Sequence, residues 1–306
     1  MNKKSLNIIK NVYKDGGNVI QYLKDVKNLK NNTVEIIMIS YDIQSGSYIE
    51  EVKKNPKFNE KYTKAISEII NKLNINYNSI LEVGVGEATT LANLIPKLKI
   101  TPNYVYGFDI SWSRVRYAIE YMKTKNILNS FLFRGDLFNI PLTDNSIDIT
   151  YTSHSLEPNG GKEKEALLEL MRITKKYLIL LEPSYEFANA KSKKRMDKHG
   201  YIKNLYSTAI SLGLKVIEHR RFDICSNPLN QTGLMIIEKD PENNDKTDNP
   251  LICPITKTSL KLIKNSFFTK EGLLVYPIID SVPCLLENDA IIATHYTNNF
   301  EKYDVK

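Results

Sequence analysis

The chain has 306 residues, of which 42% are hydrophobic and 25% charged, and its formal net charge at pH 7 is +7. This composition supports one large folded domain with a smaller one, and no apolar run is long enough for a membrane span or a signal peptide. We therefore expect a cytoplasmic protein without membrane contact, and nucleic-acid binding is not indicated because no Lys/Arg block interleaves with aromatics.

Residues 1–60 are predicted to be an N-terminal extension, or lid, that contains helical stretches. Two short apolar runs occur in it, Thr33–Ile39 and Tyr48–Val52, and a polar, aromatic loop lies between them. Residues 61–75 repeat isoleucine and leucine at helical spacing, which predicts an amphipathic helix.

A buried strand ending in a glycine-rich turn is predicted over residues 80–89, which read ILEVGVGEAT. Gly84 and Gly86 lack Cβ atoms where the backbone must bend sharply and a ligand can approach closely. A helix predicted to begin near Thr89 would direct its free N–H groups and positive dipole end at that ligand.

Three more strand-like runs follow, and each ends in polar residues. Tyr104–Asp109 closes with a carboxylate 23 residues after Gly86, the place where an acidic side chain accepts hydrogen bonds from ribose hydroxyls. Phe131–Phe133 leads to Asp136, which lies 27 residues after Asp109. Ile147–Thr152 opens into a polar loop.

The rest of the chain alternates helix and strand patterns and then changes character. A helix is predicted at Lys164–Thr174, with strands at Tyr177–Leu181, Leu214–His219 and Leu234–Glu238. This alternation predicts a parallel sheet with a right-handed crossover at each step. Residues 241–250 are polar, bounded by prolines and without periodicity, which indicates a linker. The predicted domains are therefore 61–240 and a small β-rich module with its tail, 251–306.

Over about residues 60 to 240, these motifs resemble the class I S-adenosylmethionine-dependent methyltransferases. The resemblance implies an α/β fold with a Rossmann-like seven-stranded sheet, S-adenosylmethionine as cofactor and S-adenosylhomocysteine as product. It assigns cofactor contacts to Glu82, Gly84 and Gly86 (methionine end), Asp109 (ribose), Asp136 and Leu137 (adenine), and Ser153. Glu87 and Ala88 stand where a third glycine is usual, which suits a cofactor without phosphates and argues against a dehydrogenase.

Residues 251–292 resemble the small zinc-ribbon-like domains that partner methyltransferases. Those domains begin with a pair of cysteines, but here Thr256 stands where the second cysteine would follow Cys253. A tetrahedral zinc site needs about four N or S ligands, and Cys253, Cys284 and His295 are too few and irregularly spaced. We expect no metal, and a module that packs on the catalytic domain or mediates self-association.

Candidate catalytic residues follow the fourth strand. His154 and Glu157 occupy the acceptor-facing position of the family, and a hydroxyl or amine acceptor needs a base near neutral pKa. The alternatives are a loop histidine without a role and a glutamate that caps the loop. Further substrate or lid candidates, each of which could equally be a packing or surface residue, are Tyr41, Tyr48, Tyr185, Arg195 and His199.

Three functions remain open from the sequence. The first is methylation of a hydroxyl or amine of a small molecule or saccharide; the second is RNA methylation; the third is a non-catalytic, cofactor-binding scaffold. The intact cofactor motifs argue against the scaffold, and the absence of an Asn-Pro-Pro-Tyr motif after the fourth strand lowers the RNA alternative. The loops that choose the acceptor carry no decodable signature.

Overall fold

The computed structural model describes residues 4–240 and 249–298, so most of the predicted linker, residues 241–248, lies outside the described part. The helices that precede the sheet are α1 (Lys4–Lys14), α2 (Val19–Lys27), α3 (Val34–Ile43), α4 (Ser47–Lys54) and α5 (Pro56–Lys72). They bury a small apolar cluster of their own, centred on Ile9, Val19, Leu23, Ile36 and Ile39.

The first residues of these helices explain where they begin. The side chain of Thr33 accepts a hydrogen bond from Ile36 N, and Asn55 accepts one from Phe58 N. Such caps satisfy N–H groups that have no partner inside the helix. Helix α5 begins at Pro56, a residue suited to the first helical position. The helix predicted for residues 61–75 therefore starts earlier, and the predicted boundary at residue 60 falls inside it.

A seven-stranded sheet forms the centre of the molecule and confirms the predicted fold class. Its strands are β1 (Ser79–Val83), β2 (Tyr104–Asp109), β3 (Ser130–Arg134), β4 (Ile147–Ser153), β5 (Thr174–Pro183), β6 (Lys215–Arg221) and β7 (Thr232–Glu238). Their order across the sheet is β3-β2-β1-β4-β5-β7-β6. Strands β1 to β5 run parallel to one another, but β7 is antiparallel to both β5 and β6. The prediction of an all-parallel sheet was wrong there because residues 222–231 join β6 to β7 without a crossover helix.

Helices cover both faces of this sheet. They are α6 (Leu91–Leu94), α7 (Trp112–Thr124), α8 (Glu163–Ile173), α9 (Ala190–His199) and α10 (Leu205–Ser211). The helix predicted to begin near Thr89 is only the four-residue α6, because a 3₁₀ turn containing Pro96 follows it directly. Successive residues of β1 enter different cores, Ile80 on one face and Leu81 on the other, as alternation along a strand requires.

The C-terminal module is a small antiparallel sheet that continues the large one at its β3 edge. Its strands are β8 (Lys261–Ile263), β9 (Ser266–Thr269), β10 (Leu274–Ile279), β11 (Val282–Pro283) and β12 (Ile291–Ile292). Cys284 forms a parallel bridge with Arg134 at the end of β3. Leu251, Tyr276 and Leu285 are buried in the same apolar core as Phe133. The module is thus joined to the large domain by backbone hydrogen bonds and by shared core packing.

Among the described residues, every helix is too short or too polar to cross a membrane.

Candidate functional site

A pocket opens at the carboxyl ends of β1, β2 and β4, beneath α3 and α4. It holds about 880 Å³ of empty space, part of it open to solvent. Of the residues that the sequence assigned to cofactor or substrate, the pocket is lined by Tyr41, Tyr48, Gly84, Gly86, Asp109, Asp136, Leu137, Ser153 and His154. The pocket therefore gathers the ends of four separate sequence motifs, together with the two N-terminal tyrosines.

The glycine turn after β1 forms the floor of the pocket. Gly84 and Gly86 have φ angles of +67° and +54°, which lie in the left-handed region. A Cβ atom on Gly84 would lie 2.2 Å from the Cβ of Ser155, and one on Gly86 would lie 3.3 Å from the Tyr48 ring. The turn therefore requires glycine at Gly84 for space and for backbone conformation.

Asp109 faces the pocket from the end of β2. Its Oδ2 accepts a hydrogen bond from Gly86 N at 3.1 Å, and its Oδ1 accepts one from Ser111 N at 2.9 Å. Burial raises the pKa of this carboxyl group, and the Arg114 charge and the two amides oppose that shift. Each carboxylate oxygen has a second lone pair, so the oriented group can still accept hydrogen bonds from two ribose hydroxyls.

Asp136 and Leu137 line the pocket next to Asp109. Asp136 Oδ1 accepts a hydrogen bond from Phe138 N at 3.0 Å, which fixes the turn after β3. Burial raises the pKa of Asp136. A carboxylate beside apolar side chains suits an aromatic ring that carries an exocyclic amine, as adenine does.

Ser153 and Ser155 bring hydroxyl groups to the methionine end of the predicted cofactor site. Ser153 Oγ lies 2.8 Å from Tyr62 Oη. Ser155 Oγ is buried and has no hydrogen-bond partner among the described residues, although Ser155 lines the pocket. A buried hydroxyl without a partner is costly, so this atom fits a site whose ligand supplies the missing polar group.

Glu82 does not line the pocket, although the resemblance assigns it to the methionine end. It is 2% exposed and lies in the sheet beneath the turn. Burial raises the pKa of Glu82 to about 8. Its Oε2 has no hydrogen-bond partner within the described part of the chain. The cofactor role of Glu82 stays a prediction.

His154 lies at the pocket rim with a φ of +57°, and both of its ring nitrogens have protein partners. Nδ1 is 2.9 Å from Glu157 Oε2, and Nε2 is 2.8 Å from Thr232 Oγ1. Burial lowers the pKa of His154, but the hydrogen bond and charge of Glu157 more than offset this, so the pKa is raised. Asn230 also donates to Glu157 Oε2, at 3.0 Å. The rim therefore carries an oriented histidine–carboxylate pair.

The other predicted substrate residues lie outside the pocket lining. Arg195 Nη2 donates to Tyr201 Oη at 3.3 Å, and the His199 ring stacks on Tyr201. Asn32 Nδ2 donates to the carbonyls of both His199 and Pro158, and Pro158 lines the pocket. The C-terminal end of α9 is thus close to the rim.

Tyr185 instead packs against the Lys193 and Lys203 side chains, and its hydroxyl donates to Asp197. The substrate roles of Tyr185, Arg195 and His199 stay predictions.

Two residues of the site escaped sequence reasoning, Glu87 and Arg114. Both are fully buried, and Arg114 Nη1 lies 3.2 Å from Glu87 Oε1. Arg114 lines the pocket between the Tyr41 and Tyr48 rings. The signal that could have found them is the acidic residue in place of the usual third glycine, since a charge inside a tight turn needs a partner.

In residues 4–240 and 249–298, no three His, Cys, Asp or Glu side chains lie close enough together to hold a metal ion. Cys253 Sγ lies 3.3 Å from Tyr276 Oη and accepts a hydrogen bond from Thr256 N at 3.4 Å. Thr256 thus stands beside the cysteine and contributes no metal ligand.

Comparison with known proteins bears on the class of the domain. A family model described as a methyltransferase domain matches residues 80–177. A chain from the complex between the Haloferax volcanii Trm112 methyltransferase activator and a methyltransferase superposes with a TM-score of 0.50 at 14% identity, covering 64% of this chain and 94% of that one. The magnesium protoporphyrin IX methyltransferase of Synechocystis, solved with bound S-adenosylmethionine, has a TM-score of 0.45 at 14% identity, covering 62% and 84%. At 14% identity the first of these two likenesses shows the fold alone.

A curated relative matches a short stretch only. A UPF0434 protein of Marinomonas is 45% identical over 42 residues, which is 13% of this chain. This chain covers 65% of that relative's length.

The family match assigns residues 80–177 to a methyltransferase domain, which agrees with the predicted class.

Proposed function

We propose that this chain transfers a methyl group from S-adenosylmethionine to a hydroxyl or amine of a small molecule or saccharide. The observation that carries the proposal is the position of Asp109, whose carboxylate is oriented by Gly86 N and Ser111 N at the pocket beside the glycine turn. S-adenosylmethionine, when bound, supplies an electrophilic methyl group on a positively charged sulfur.

The chain's own residues supply orientation and charge. Asp109 would hold the ribose, Asp136 the adenine amine, and Ser153, Ser155 and the turn amides the methionine end. The carboxylates in and beside the pocket suit a ligand that carries a sulfonium charge. Methyl transfer is an in-line displacement, so fixing the methyl group against the acceptor supplies a large part of the rate.

His154 would remove the acceptor's proton. In the neutral ring, Nδ1–H donates to Glu157 and Nε2 is left as the basic atom. The Thr232 hydroxyl is hydrogen-bonded to Nε2 in this structure, so that contact must open before Nε2 can take the acceptor's proton. Glu157 fixes the ring orientation and stabilises the imidazolium that forms, in the manner of other histidine–carboxylate pairs.

The helices that cover the pocket favour a small acceptor. Val34, Ile37 and Tyr41 of α3, with Tyr48 of α4, cover the pocket. A bulky polymer would have to displace these helices, whereas a small molecule or a sugar residue needs less room at the pocket. This favours a small-molecule or saccharide acceptor over RNA.

The proposal is tested by incubating purified protein with methyl-labelled S-adenosylmethionine and panels of sugar nucleotides, glycans, amines and RNA. We expect label transfer to at least one small acceptor, with stoichiometric formation of S-adenosylhomocysteine. The His154→Ala variant serves as a control that still binds the cofactor. Tight cofactor binding without transfer to any member of the panels would favour the scaffold alternative, and transfer to RNA alone would favour the second function.

A further inference from the structure

We propose that Glu87 and Arg114 are positioning residues that hold the pocket cover closed over bound cofactor and thereby set the rate of cofactor release. The cover is the segment of α3 and α4 with the loop between them, residues 34–54. The inference rests on the proposed function, because it takes the pocket to be the S-adenosylmethionine site. It adds a role for two buried charges that the cofactor motifs do not explain.

Glu87 ties the cover to the glycine turn. Its Oε1 accepts a hydrogen bond from Gly46 N at 2.8 Å, and its Oε2 accepts one from Ile49 N at 2.7 Å. These amides belong to the N-terminal end of α4, where N–H groups lack partners and the helix dipole favours a negative charge. One carboxylate that follows Gly86 directly in sequence therefore caps a helix of the cover.

Arg114 ties the cover to α7. Its Nε donates to the Tyr41 carbonyl oxygen at 3.0 Å, and its guanidinium carbon lies 4.0 Å from the centre of the Tyr48 ring. Its Nη1 is paired with Glu87. Its Nη2 is buried without a partner among the described residues, although Arg114 lines the pocket. These contacts between the buried guanidinium and the cover exist only while the cover stays in place.

Asp42 adds a third tie beside the ribose site. Its Oδ1 accepts hydrogen bonds from Ser111 Oγ at 2.8 Å and Ser113 N at 3.0 Å, at the start of α7. The Ser111 amide at the same helix end donates to Asp109. Asp109, which would hold the ribose, and Asp42, which holds the cover, therefore both accept hydrogen bonds from the start of α7.

The position of the Glu87–Arg114 pair links cofactor release to movement of the cover. The Tyr48 ring lies over Gly86, and Tyr41 and Tyr48 both line the pocket. Cofactor that leaves past these rings must displace them, and moving them separates Glu87 from two amides and Arg114 from a carbonyl. Losing the Glu87 charge would leave Arg114 buried without its counter-ion, which favours the open cover.

The test uses Glu87→Gln and the release of S-adenosylhomocysteine from the full-length protein. Trp112 is the only tryptophan in the chain and begins α7, next to the serines bound by Asp42. Its fluorescence in stopped-flow displacement experiments reports release. We expect Glu87→Gln to release the ligand at least about tenfold faster, as loss of a charge-assisted hydrogen bond predicts. In the presence of ligand, trypsin should cut the Glu87→Gln variant at Lys53 or Lys54. The same ligand should protect the wild type from cleavage there.

The matched control is Asp148→Asn. Asp148 is also a buried carboxylate that accepts two backbone N–H groups, from Asn78 and Ser79, and pairs with Lys176. It lies at the opposite end of the sheet, where β4 begins. We expect this variant to lose stability but to release S-adenosylhomocysteine at the wild-type rate. Tyr48→Ala, a change at a half-exposed ring, provides a second opened variant if Glu87→Gln does not fold.

The outcomes separate this inference from the proposed function. Wild-type protein that binds no S-adenosylhomocysteine would overturn the proposed function itself. Wild-type binding together with unchanged release from Glu87→Gln, or from Tyr48→Ala where the first variant does not fold, would overturn the role of the pair. Equal acceleration in the Glu87 and Asp148 variants would also overturn it, because general destabilisation would then explain the change.

Discussion

The amide of Leu285 donates a hydrogen bond of 2.9 Å to the carbonyl oxygen of Arg134. Arg134 ends β3, the edge strand of the seven-stranded sheet, so the module covers part of an edge that would otherwise present unpaired backbone groups. Arg134 also donates from Nε to the Ile110 carbonyl oxygen, and Ile110 lines the pocket. The module therefore supports a strand end that reaches the pocket.

The ion pair between Arg134 and Asp289 is expected to stabilise this junction. The two side chains are 19% and 14% exposed, and their atoms lie 2.5 Å apart. Asp289→Ala should lower the free energy of unfolding by about 1–3 kcal/mol, because it leaves a largely buried guanidinium without its partner. Asp280→Ala is the matched control in the same module: its pair with Arg116 is exposed, and its removal should cost about 0–1 kcal/mol. Urea unfolding measures both, and equal losses would contradict the expected role of Asp289.

The module is predicted to fold without metal. Cys253 is held by Tyr276 and Thr256, and burial raises the pKa of Cys284 to about 11, which keeps its thiol protonated. Purified protein should contain far less than one zinc per chain, and a chelator should not change its melting temperature. Elemental analysis that finds stoichiometric zinc resistant to chelation would contradict this prediction.

Two buried glutamates should make stability fall as the pH rises. Burial raises the pKa of Glu82 to about 8 and that of Glu182 to about 7, from the ordinary value of 4.5. Between pH 4.5 and these values the folded chain keeps protons that the unfolded chain has lost. Each group therefore lowers the free energy of unfolding by about 1.4 kcal/mol per pH unit in that window.

Glutamine variants test this directly, since glutamine does not titrate. Glu82→Gln should remove the slope up to about pH 8, and Glu182→Gln the slope up to about pH 7. Urea unfolding between pH 5 and 9 measures the slopes. Variants whose stability changes with pH as the wild type does would show that these carboxyl groups titrate normally.

Part of the pocket lining could be predicted from sequence because its residues follow the ends of strands. The carboxyl ends of neighbouring parallel strands meet at one edge of a sheet, so Gly86, Asp109 and Asp136 come together whatever the loops do. Glu82 precedes the turn and its side chain lies within the sheet, outside the pocket lining, so its cofactor role stays a prediction.

Tyr41 and Tyr48 of the pocket cover were lid candidates, but the contacts that hold the cover could not be predicted in the same way. Glu87 and Arg114 are 27 residues apart, and their contact depends on how α7 is rotated and where α4 begins. The antiparallel β7 was missed for a related reason: hydrophobic patterning marks a strand but carries no direction, and only the absence of a helix in residues 222–231 indicates the reversal.

His154 is expected to be needed for turnover and not for cofactor binding. His154→Ala should reduce turnover by roughly 10²–10⁴-fold if the ring acts as a base. A base works in its neutral form, and the pKa of His154 is raised above 6.5. The wild-type rate should therefore rise with pH through an apparent pKa above 6.5, and the variant should lack that rise. Full turnover in the variant from pH 6 to 9 would point to catalysis by positioning alone.

The central claim is that Asp109 holds the ribose of S-adenosylmethionine, and calorimetry tests it most directly. Asp109→Ala should weaken binding of S-adenosylmethionine and S-adenosylhomocysteine by about 1.5–3 kcal/mol, because two hydrogen bonds to a charged acceptor are lost. His154→Ala, at the same rim but away from the predicted adenosine contacts, should bind as the wild type does. Unchanged affinity in a folded Asp109→Ala protein would contradict the assignment of this pocket to the cofactor.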